Sequence, residues 1–283
     1  MTVPPVQSPS NADLEVARSW LFVPGDRPER FDKALASGAD VVICDLEDSV
    51  TADAKSAARD AVATWLRGGG RAAVRVNPVG TPWHDDDVAA ISGAPGLRAI
   101  VLPKSQDPPT VSDVAQTAGG APIVALVETA LGILRASDIA ALPAVARLAF
   151  GSLDYALDVG ADADDEHALL LARTAVVMCS RAVGAPSPID GVTTALDDEA
   201  VLLADTAKSR ALGFTGKLCV HPRQIAGVHR GFAPSPAQLA WARDILAVAA
   251  SSSAGAARTA DGMLVDAPVI ARANAILAIA PGA

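Results

Sequence analysis

Residues 39–59 read ADVVICDLEDSVTADAKSAAR, a short apolar run, Val41–Cys44, that ends in Asp45, Glu47 and Asp48 and gives way to a helical pattern. An apolar run without alternation suits a strand buried on both faces, and such strands belong to parallel sheets covered by helices. The same unit recurs along the chain. Apolar runs at Trp20–Val23, Ala72–Val76, Ala99–Leu102, Pro122–Val127, Arg147–Phe150, Ser187–Ile189 and Lys217–Val220 each end in polar, Gly or Pro residues. Between them lie stretches such as ADAKSAARDAVATWLR and HALLLARTAVVMCSRAV, whose apolar residues return every three or four positions. That is the period of helices packed on a sheet. Eight such units predict an α/β fold of the (β/α)8 TIM-barrel type, which needs about 250 residues. The rival doubly wound sheet would carry a glycine-rich phosphate loop after its first strand. Here that strand runs into Pro24-Gly25-Asp26-Arg27 instead.

The expected organisation is a flexible N-terminal segment over 1–17, a catalytic barrel over 18–232 and a C-terminal helical extension or lid over 233–283. In the extension, Ser235-Pro236 opens one helix, SSSAGAARTADG reads as an exposed linking loop, and a second helix starts near Pro268. A net charge of −9 offers no basic field for phosphates, so nucleic acid is disfavoured as a partner, while a small anion in one Arg- and Lys-lined cleft is not. Cys44, Cys179 and Cys219 show no ligand spacing and read as free thiols buried in a reducing compartment. The first residues contain no apolar signal core, and no apolar run is long enough to span a membrane. The expectation is a soluble cytoplasmic protein with no membrane partner.

In a barrel of this type the chemistry collects at the C-terminal ends of the strands. The ends carry Asp26 and Arg27, then Asp45, Glu47 and Asp48, then Arg75 and Asn77, then Lys104, Glu128, Asp154, Asp190 and His221. A purely structural barrel has no reason to place ionisable or strongly polar groups at all eight ends. Asp45, Glu47, Asp48, Glu128 and Asp154 would repel one another unless cations stood among them. Carboxylates without a His or Cys cluster select a hard ion, Mg²⁺ or Mn²⁺. Asp48 reads better as the ion-pair partner of Arg75, Lys104 or Arg59. Glu128 and Asp154 have no basic residue nearby in sequence and read as metal ligands.

Arg75 is placed to grip a carboxylate with two hydrogen bonds or to stabilise an oxyanion, and a salt bridge to Asp45 or Glu47 is compatible with that. Lys104, with Pro103 before it and acids around it, fits a charged hydrogen-bonding lysine better than a Schiff-base nucleophile. His221 reads equally well as an acid/base or as a brace for a rim loop.

Several segments together resemble a known family. They are RSWLFVPGDRPERFDKAL, ADVVICDLEDSVTADAKSAAR, VRVN, LPK, ALVETALGI, FGSLDYALDVG, GFTGKLCVHPRQI and DGMLVDAPVIARA. In this order they are similar to the citrate lyase β-subunit-like branch of the HpcH/HpaI aldolases, from about Arg18 onward. The resemblance implies a magnesium-dependent homotrimer whose subunits exchange lids. It implies reversible Claisen cleavage of malyl-, citramalyl- or citryl-type 3-hydroxyacyl-CoA thioesters, the small partners being a 2-oxo acid and an acyl-CoA. By motif, Glu128 and Asp154 correspond to metal ligands, and Arg75 to the arginine that holds the oxo-acid carboxylate. Asp45 and Glu47 correspond to groups that orient Arg75 and metal-bound water. Arg27 and Lys33 fall in the segment near the coenzyme A phosphates, and Lys104 joins them as a substrate-contacting cation. Asp266 resembles a lid acid that reaches a neighbouring subunit's site as catalytic base; from its sequence position alone it is equally a helix cap before Pro268. Two other enzymatic readings share these residues, a thioesterase on the same substrate and a citrate lyase β subunit acting on a carrier-bound citryl group. A catalytically inert ligand-binding barrel is disfavoured by the intact acids and Arg75.

Overall fold

A computed structural model describes residues 11–251, 257–259 and 262–279. The first ten residues of the expected flexible segment, and 252–256 and 260–261 of the expected linking loop, lie outside the described residues. The chain divides into two units, Met1–His229 and Arg230–Ala283.

In the first unit, eight strands pair in parallel and in sequence order, and the last closes on the first. They are β1 (Ser19–Pro24), β2 (Val41–Asp45), β3 (Ala72–Arg75), β4 (Leu97–Leu102), β5 (Ile123–Val127), β6 (Val145–Phe150), β7 (Ile189–Asp190) and β8 (Gly216–Cys219). A short helix, α1 (Asn11–Val16), precedes β1. The helices between the strands are α2 (Phe31–Leu35), α3 (Lys55–Arg67), α4 (His84–Ile91), α5 (Pro108–Thr117), α6 (Ala130–Leu134), α7 (Ala136–Ala140), α8 (Ser152–Val159), α9 (Glu166–Ala182) and α10 (Glu199–Leu212), with α11 (Gln224–Phe232) after β8. The (β/α)8 barrel expected from the apolar runs is therefore present. No helix among the described residues is long and apolar enough to cross a membrane.

Strand parity decides what the barrel encloses, because successive side chains point to opposite faces. One buried cluster contains Trp20, Val41, Ile43, Ala73, Ala99, Val101, Val124 and Leu126, with Phe22 packed against it. Two residues beyond Ile43 on the same face is Asp45. Arg75 stands in the same relation to Ala73, and Glu128 to Leu126. The alternation that fills the barrel with apolar side chains thus delivers three charged ones to its C-terminal mouth. Of the cysteines, Cys44 and Cys219 are buried and Cys179 on α9 is only half-buried; all three are free thiols.

In the second unit, α12 (Pro236–Ser251) packs on α13 (Ala267–Ala278) around Ala242, Ile245, Val265 and Ala273. Ser235 and Gln238 form a reciprocal cap at the start of α12: Gln238 N–H donates to Ser235 Oγ at 3.2 Å, and Ser235 N–H donates to Gln238 Oε1 at 2.9 Å. Where the sequence suggested only a loop, β9 (Ala257–Arg258) and β10 (Leu264–Val265) pair as an antiparallel ribbon.

The expected flexible segment 1–17 is corrected over its last residues. α1 holds Leu14 fully buried in the barrel cluster, and Ala17 follows it there. A six-residue helix shows too few turns for periodicity to reveal it. Arg147, fully buried on β6, fixes this floor. Its guanidinium donates to the carbonyls of Leu14 (3.1 Å), Ala17 (2.7 Å), Ser187 (2.9 Å) and Pro188 (3.2 Å) and to Thr215 Oγ1 (3.0 Å). Burial lowers its pKa to about 9, and the nearby charge of Glu15 only partly opposes this. The cation is held by backbone dipoles and one hydroxyl, although the Ala17 carbonyl also accepts from Trp20 Nε1 and the Pro188 carbonyl from Thr215 N–H, each at 3.2 Å. Replacing Arg147 with Met removes five hydrogen bonds from the barrel floor and is expected to cost about 3–5 kcal/mol. Urea unfolding of Arg147→Met should show that loss as a lower midpoint; an unchanged midpoint would mean that the floor does not depend on this side chain.

Candidate active site

The barrel mouth is built first from two neighbouring strands. The β2–β3 register sets Asp45 beside Arg75. Arg75 Nε donates to Asp45 Oδ1 and Nη2 to Oδ2, both at 2.7 Å, a two-pronged pair with no freedom to rotate. Asp45 is held in turn by the backbone N–H groups of Glu47 (3.0 Å) and Ser49 (3.1 Å). The third nitrogen, Nη1, faces Glu47 Oε2 at 3.0 Å and donates to Asp48 Oδ2 at 3.1 Å. The Arg75 guanidinium also lies 4.8 Å from the Phe22 ring centre, a cation–π contact beneath the charge cluster. Burial alone would raise the Asp45 carboxyl, but the charge and hydrogen bonds of Arg75 hold it below the usual carboxylate range. The same pairing overrides desolvation and raises the pKa of Arg75 further.

On the opposite arc, Glu128 follows β5 and is buried. It fits only because residue 151 is glycine: a Cβ there would stand 2.3 Å from Glu128 Oε2 and 2.6 Å from Glu128 Cβ. Lys104 N–H donates to Glu128 Oε1 at 2.9 Å, and Lys104 Nζ reaches Asp154 Oδ1, in the first turn of α8, at 3.3 Å. Glu128 and Asp154 therefore share a basic partner that is distant in sequence, Lys104. Burial, then repulsion from Glu47 and Asp154, pushes the Glu128 carboxyl up to about 8. Burial likewise pushes Glu47 to about 7, with Arg75 pulling in the opposite direction.

Asp45, Asp48, Arg75, Glu128 and Asp154 line one cavity of ≈ 360 Å³, together with Phe150, Leu153, Val192, Leu218 and Val220. That size suits a small ligand or one end of a larger one. The donor set fits a hard divalent cation. Its oxygens come from carboxylates, Glu47 Oε2 is buried without a hydrogen-bond partner, and the anionic form of Glu128 is destabilised. Among the described residues, no group of three or more Asp, Glu, His or Cys side chains gathers into a metal site. Two carboxylates with substrate and water completing the shell is the habit of magnesium, not of a structural zinc.

The sequence placed ionisable or strongly polar groups at all eight strand ends around one site, but those after β1, β7 and β8 do not line this cavity. Asp190 does not line this cavity; its carboxylate pairs with Arg173 and accepts from Ser209, both buried beside it. His221 braces a turn: its Nδ1 accepts from Arg223 N–H at 3.1 Å, and its own N–H donates to Gln224 Oε1 at 3.2 Å. Asp48 is the ion-pair partner of Arg75, as read from the sequence. Arg27 sits exposed beside Asp26, and Lys33 lies on the exposed side of α2; neither lines the cavity. Asp266 belongs to the second unit, where its Oδ1 accepts from Val269 N–H at 3.2 Å and caps α13. Sequence reasoning missed Phe22 and Gly151; for Gly151 the only signal was its position directly after a strand.

The chain is similar to known proteins over most of its length. Residues 18–222 match the family described as HpcH/HpaI aldolase/citrate lyase. A citrate lyase subunit beta-like protein of Deinococcus radiodurans is 37% identical, the match covering 94% of this chain and 98% of the relative. A (3S)-malyl-CoA thioesterase of Cereibacter sphaeroides is 36% identical, over 78% of this chain and 79% of the relative. Among solved structures, CitE of Mycobacterium tuberculosis in complex with magnesium, acetoacetate and coenzyme A superposes with a TM-score of 0.83 at 34% identity, covering 94% of this chain and 99% of that one. With its eight-stranded barrel, its acid- and arginine-lined mouth and these near-full-length matches, the chain belongs to the HpcH/HpaI aldolase/citrate lyase family, as one of its citrate lyase β-subunit-like enzymes.

Proposed function

We propose that the chain is a magnesium-dependent carbon–carbon lyase that cleaves or forms a malyl-, citramalyl- or citryl-type 3-hydroxyacyl-CoA thioester by reversible Claisen chemistry. The observation that carries this reading is the union, in one cavity, of a clamped guanidinium with two carboxylates on the facing arc. The magnesium and coenzyme A held by the related CitE support it, and the free thiols, two of them buried, suit a cytoplasmic location.

Glu128 and Asp154 would hold the cation, which when bound polarises the oxygen of the 2-oxo acid and so favours attack at its carbonyl carbon. Arg75 takes the acid's carboxylate. Its Nε and Nη2 are committed to Asp45, so the exposed Asp48 is the ligand that a substrate carboxylate displaces. Asp45 and Glu47 act through Arg75, fixing its plane before substrate arrives. In condensation a base takes a proton from the acetyl methyl, the new C–C bond forms to the carbonyl carbon, and the carbonyl oxygen gains a proton; cleavage runs these steps backward. Asp266 of a neighbouring subunit is the candidate base, with Arg27 and Lys33 near the coenzyme A phosphates. A homotrimer with exchanged lids is the matching assembly. Self-association is supported by exposed apolar side chains on three helices that pack together, Leu134 on α6, Leu157 on α8 and Leu171 on α9, each about four-fifths exposed.

A thioesterase is the second reading, favoured by the malyl-CoA thioesterase likeness. Water would then attack the thioester carbonyl, and free coenzyme A would leave with the intact hydroxy acid.

Purified protein given magnesium, acetyl-CoA or propionyl-CoA and a panel of 2-oxo acids should yield a new hydroxyacyl-CoA mass that disappears with chelator. Release of coenzyme A and hydroxy acid from a malyl-type thioester would favour the thioesterase, and no product from either assay would sink both readings. Glu128→Gln should lower turnover by at least about a hundredfold. Asp266→Asn separates chemistry from folding, because asparagine caps a helix as well as aspartate does; full turnover in that variant would remove Asp266 as the base.

The raised carboxyls predict a pH effect in metal-free protein. Glu128 keeps its proton in the folded state up to about pH 8, whereas the unfolded chain releases it near 4.5. The folded state thus binds more protons across this window, so stability falls as pH rises through it. Unfolding midpoints in chelator should decline from pH 5 to 8, and the decline should be shallower in Glu128→Gln; a flat wild-type profile would contradict this.

A triple Leu134→Glu, Leu157→Glu, Leu171→Glu variant should sediment as a smaller species than the wild type. Identical sedimentation of the two proteins would place any subunit interface elsewhere.

A further inference from the structure

Lys104 is the one non-glycine residue among the described residues with a positive φ, +49°. An L-residue enters that region at a cost and stays there only where its surroundings impose it. Two contacts explain the imposition. The left-handed turn directs the Lys104 N–H onto Glu128 Oε1 at 2.9 Å. It also leaves the side chain free to return over the same cluster, with Nζ 3.3 Å from Asp154 Oδ1 and 3.9 Å from Glu47 Oε1. If the turn alone were required, glycine would supply it without strain. A lysine there places a positive charge beside Asp154, Glu47 and Glu128, whose anionic forms repel one another. The lysine is 42% exposed, so the ammonium has an open path to solvent.

We propose that Lys104 is the resident counter-cation of this cluster, pairing with Asp154 and Glu47 in the metal-free protein and yielding Asp154 to a divalent ion. The inference rests on the reading of Glu128 and Asp154 as metal ligands. Its physical content is competition. The ammonium neutralises the cluster before metal arrives, so the ion must displace one of its contacts and then tolerate a nearby positive charge. The backbone N–H on Glu128 needs no displacement, because a carboxylate with one oxygen so engaged still has free lone pairs. Lys104 therefore tunes occupancy: it lowers affinity for the bare ion while preventing collapse of the empty acidic mouth.

The test titrates magnesium into chelator-stripped, full-length protein by calorimetry, comparing wild type with Lys104→Met and Lys104→Gly. Methionine keeps most of the stem and removes the charge; glycine removes charge and stem but keeps the left-handed turn. Both variants are expected to bind magnesium on the order of tenfold more tightly than wild type, with the gain shrinking at high salt. Both should also unfold at lower temperature than wild type in chelator, and the difference should narrow when magnesium is added. Equal or weaker binding in both variants, with wild-type binding that Glu128→Gln abolishes, overturns the role of Lys104 and leaves the metal site standing. A gain in Lys104→Gly alone would trace the effect to backbone strain and likewise overturns the charge assignment. Absence of binding in all of these proteins overturns the metal reading and this inference with it.

Discussion

Two adjacent strands of the barrel end in a carboxylate and a guanidinium that exchange two hydrogen bonds of 2.7 Å, and the rest of the mouth is arranged around that contact. It requires the β2–β3 register to be correct, since a slip of one residue would turn either side chain to the helix layer. It also requires Asp45 to be ionised at a buried position, which the two backbone N–H groups and Arg75 together permit. With Asp45 fixed, Arg75 presents its remaining nitrogen to Glu47 and Asp48 in a set direction. Loss of either member would strand a buried charge, so this pair is both a structural joint and the orienting element of the site.

Charge balance across the mouth is uneven, and that unevenness is informative. The β2–β3 arc holds three acids against one clamped arginine, and the facing arc holds Glu128 and Asp154 against Lys104. Asp45 is comfortable as an anion while Glu47 and Glu128 are not, although all three are buried within one small region. The difference is the number of hydrogen bonds each receives. Asp45 receives four hydrogen bonds, Glu128 receives a backbone N–H, and one oxygen of Glu47 receives none. Groups held in such a state within a cleft are the ones that a ligand or ion completes.

Much of this was legible in the chain itself, for identifiable reasons. The strands announced themselves because each is buried on both faces, and parity from Ile43, Ala73 and Leu126 sends Asp45, Arg75 and Glu128 inward. Legibility failed where structure depends on contacts distant in sequence. Lys104 meets Glu128 across 24 residues and Asp154 across 50, so nothing local marked it as their partner. Asp190 sits at a strand end like the others, but a buried arginine on α9 claims it. β7 is only two residues long and runs one residue beyond the apolar run that suggested it. α1 was missed because its stability comes from Leu14 entering the barrel floor, a tertiary contact without a periodic signature.

The cavity has two unlike linings, and this constrains how a substrate can lie in it. Asp45, Asp48, Arg75, Glu128 and Asp154 supply the charged lining from both arcs of the mouth, whereas Phe22, Leu126, Phe150, Val192, Leu218 and Val220 supply the apolar one. On the proposed reading, the carboxylate and the polarised oxygen of the acid face the charged lining. The developing negative charge then sits against fixed positive groups and away from bulk water, where each interaction counts for more. The acyl substituent must face the apolar lining, whose groups contact carbon and not charge. Such contacts discriminate weakly, since one methylene in an apolar pocket is worth about 1–3 kcal/mol. On the proposed reading, these apolar side chains distinguish the hydrogen of a malyl group from the methyl of a citramalyl group only weakly, whereas the extra carboxylate of a citryl group would need a charged partner.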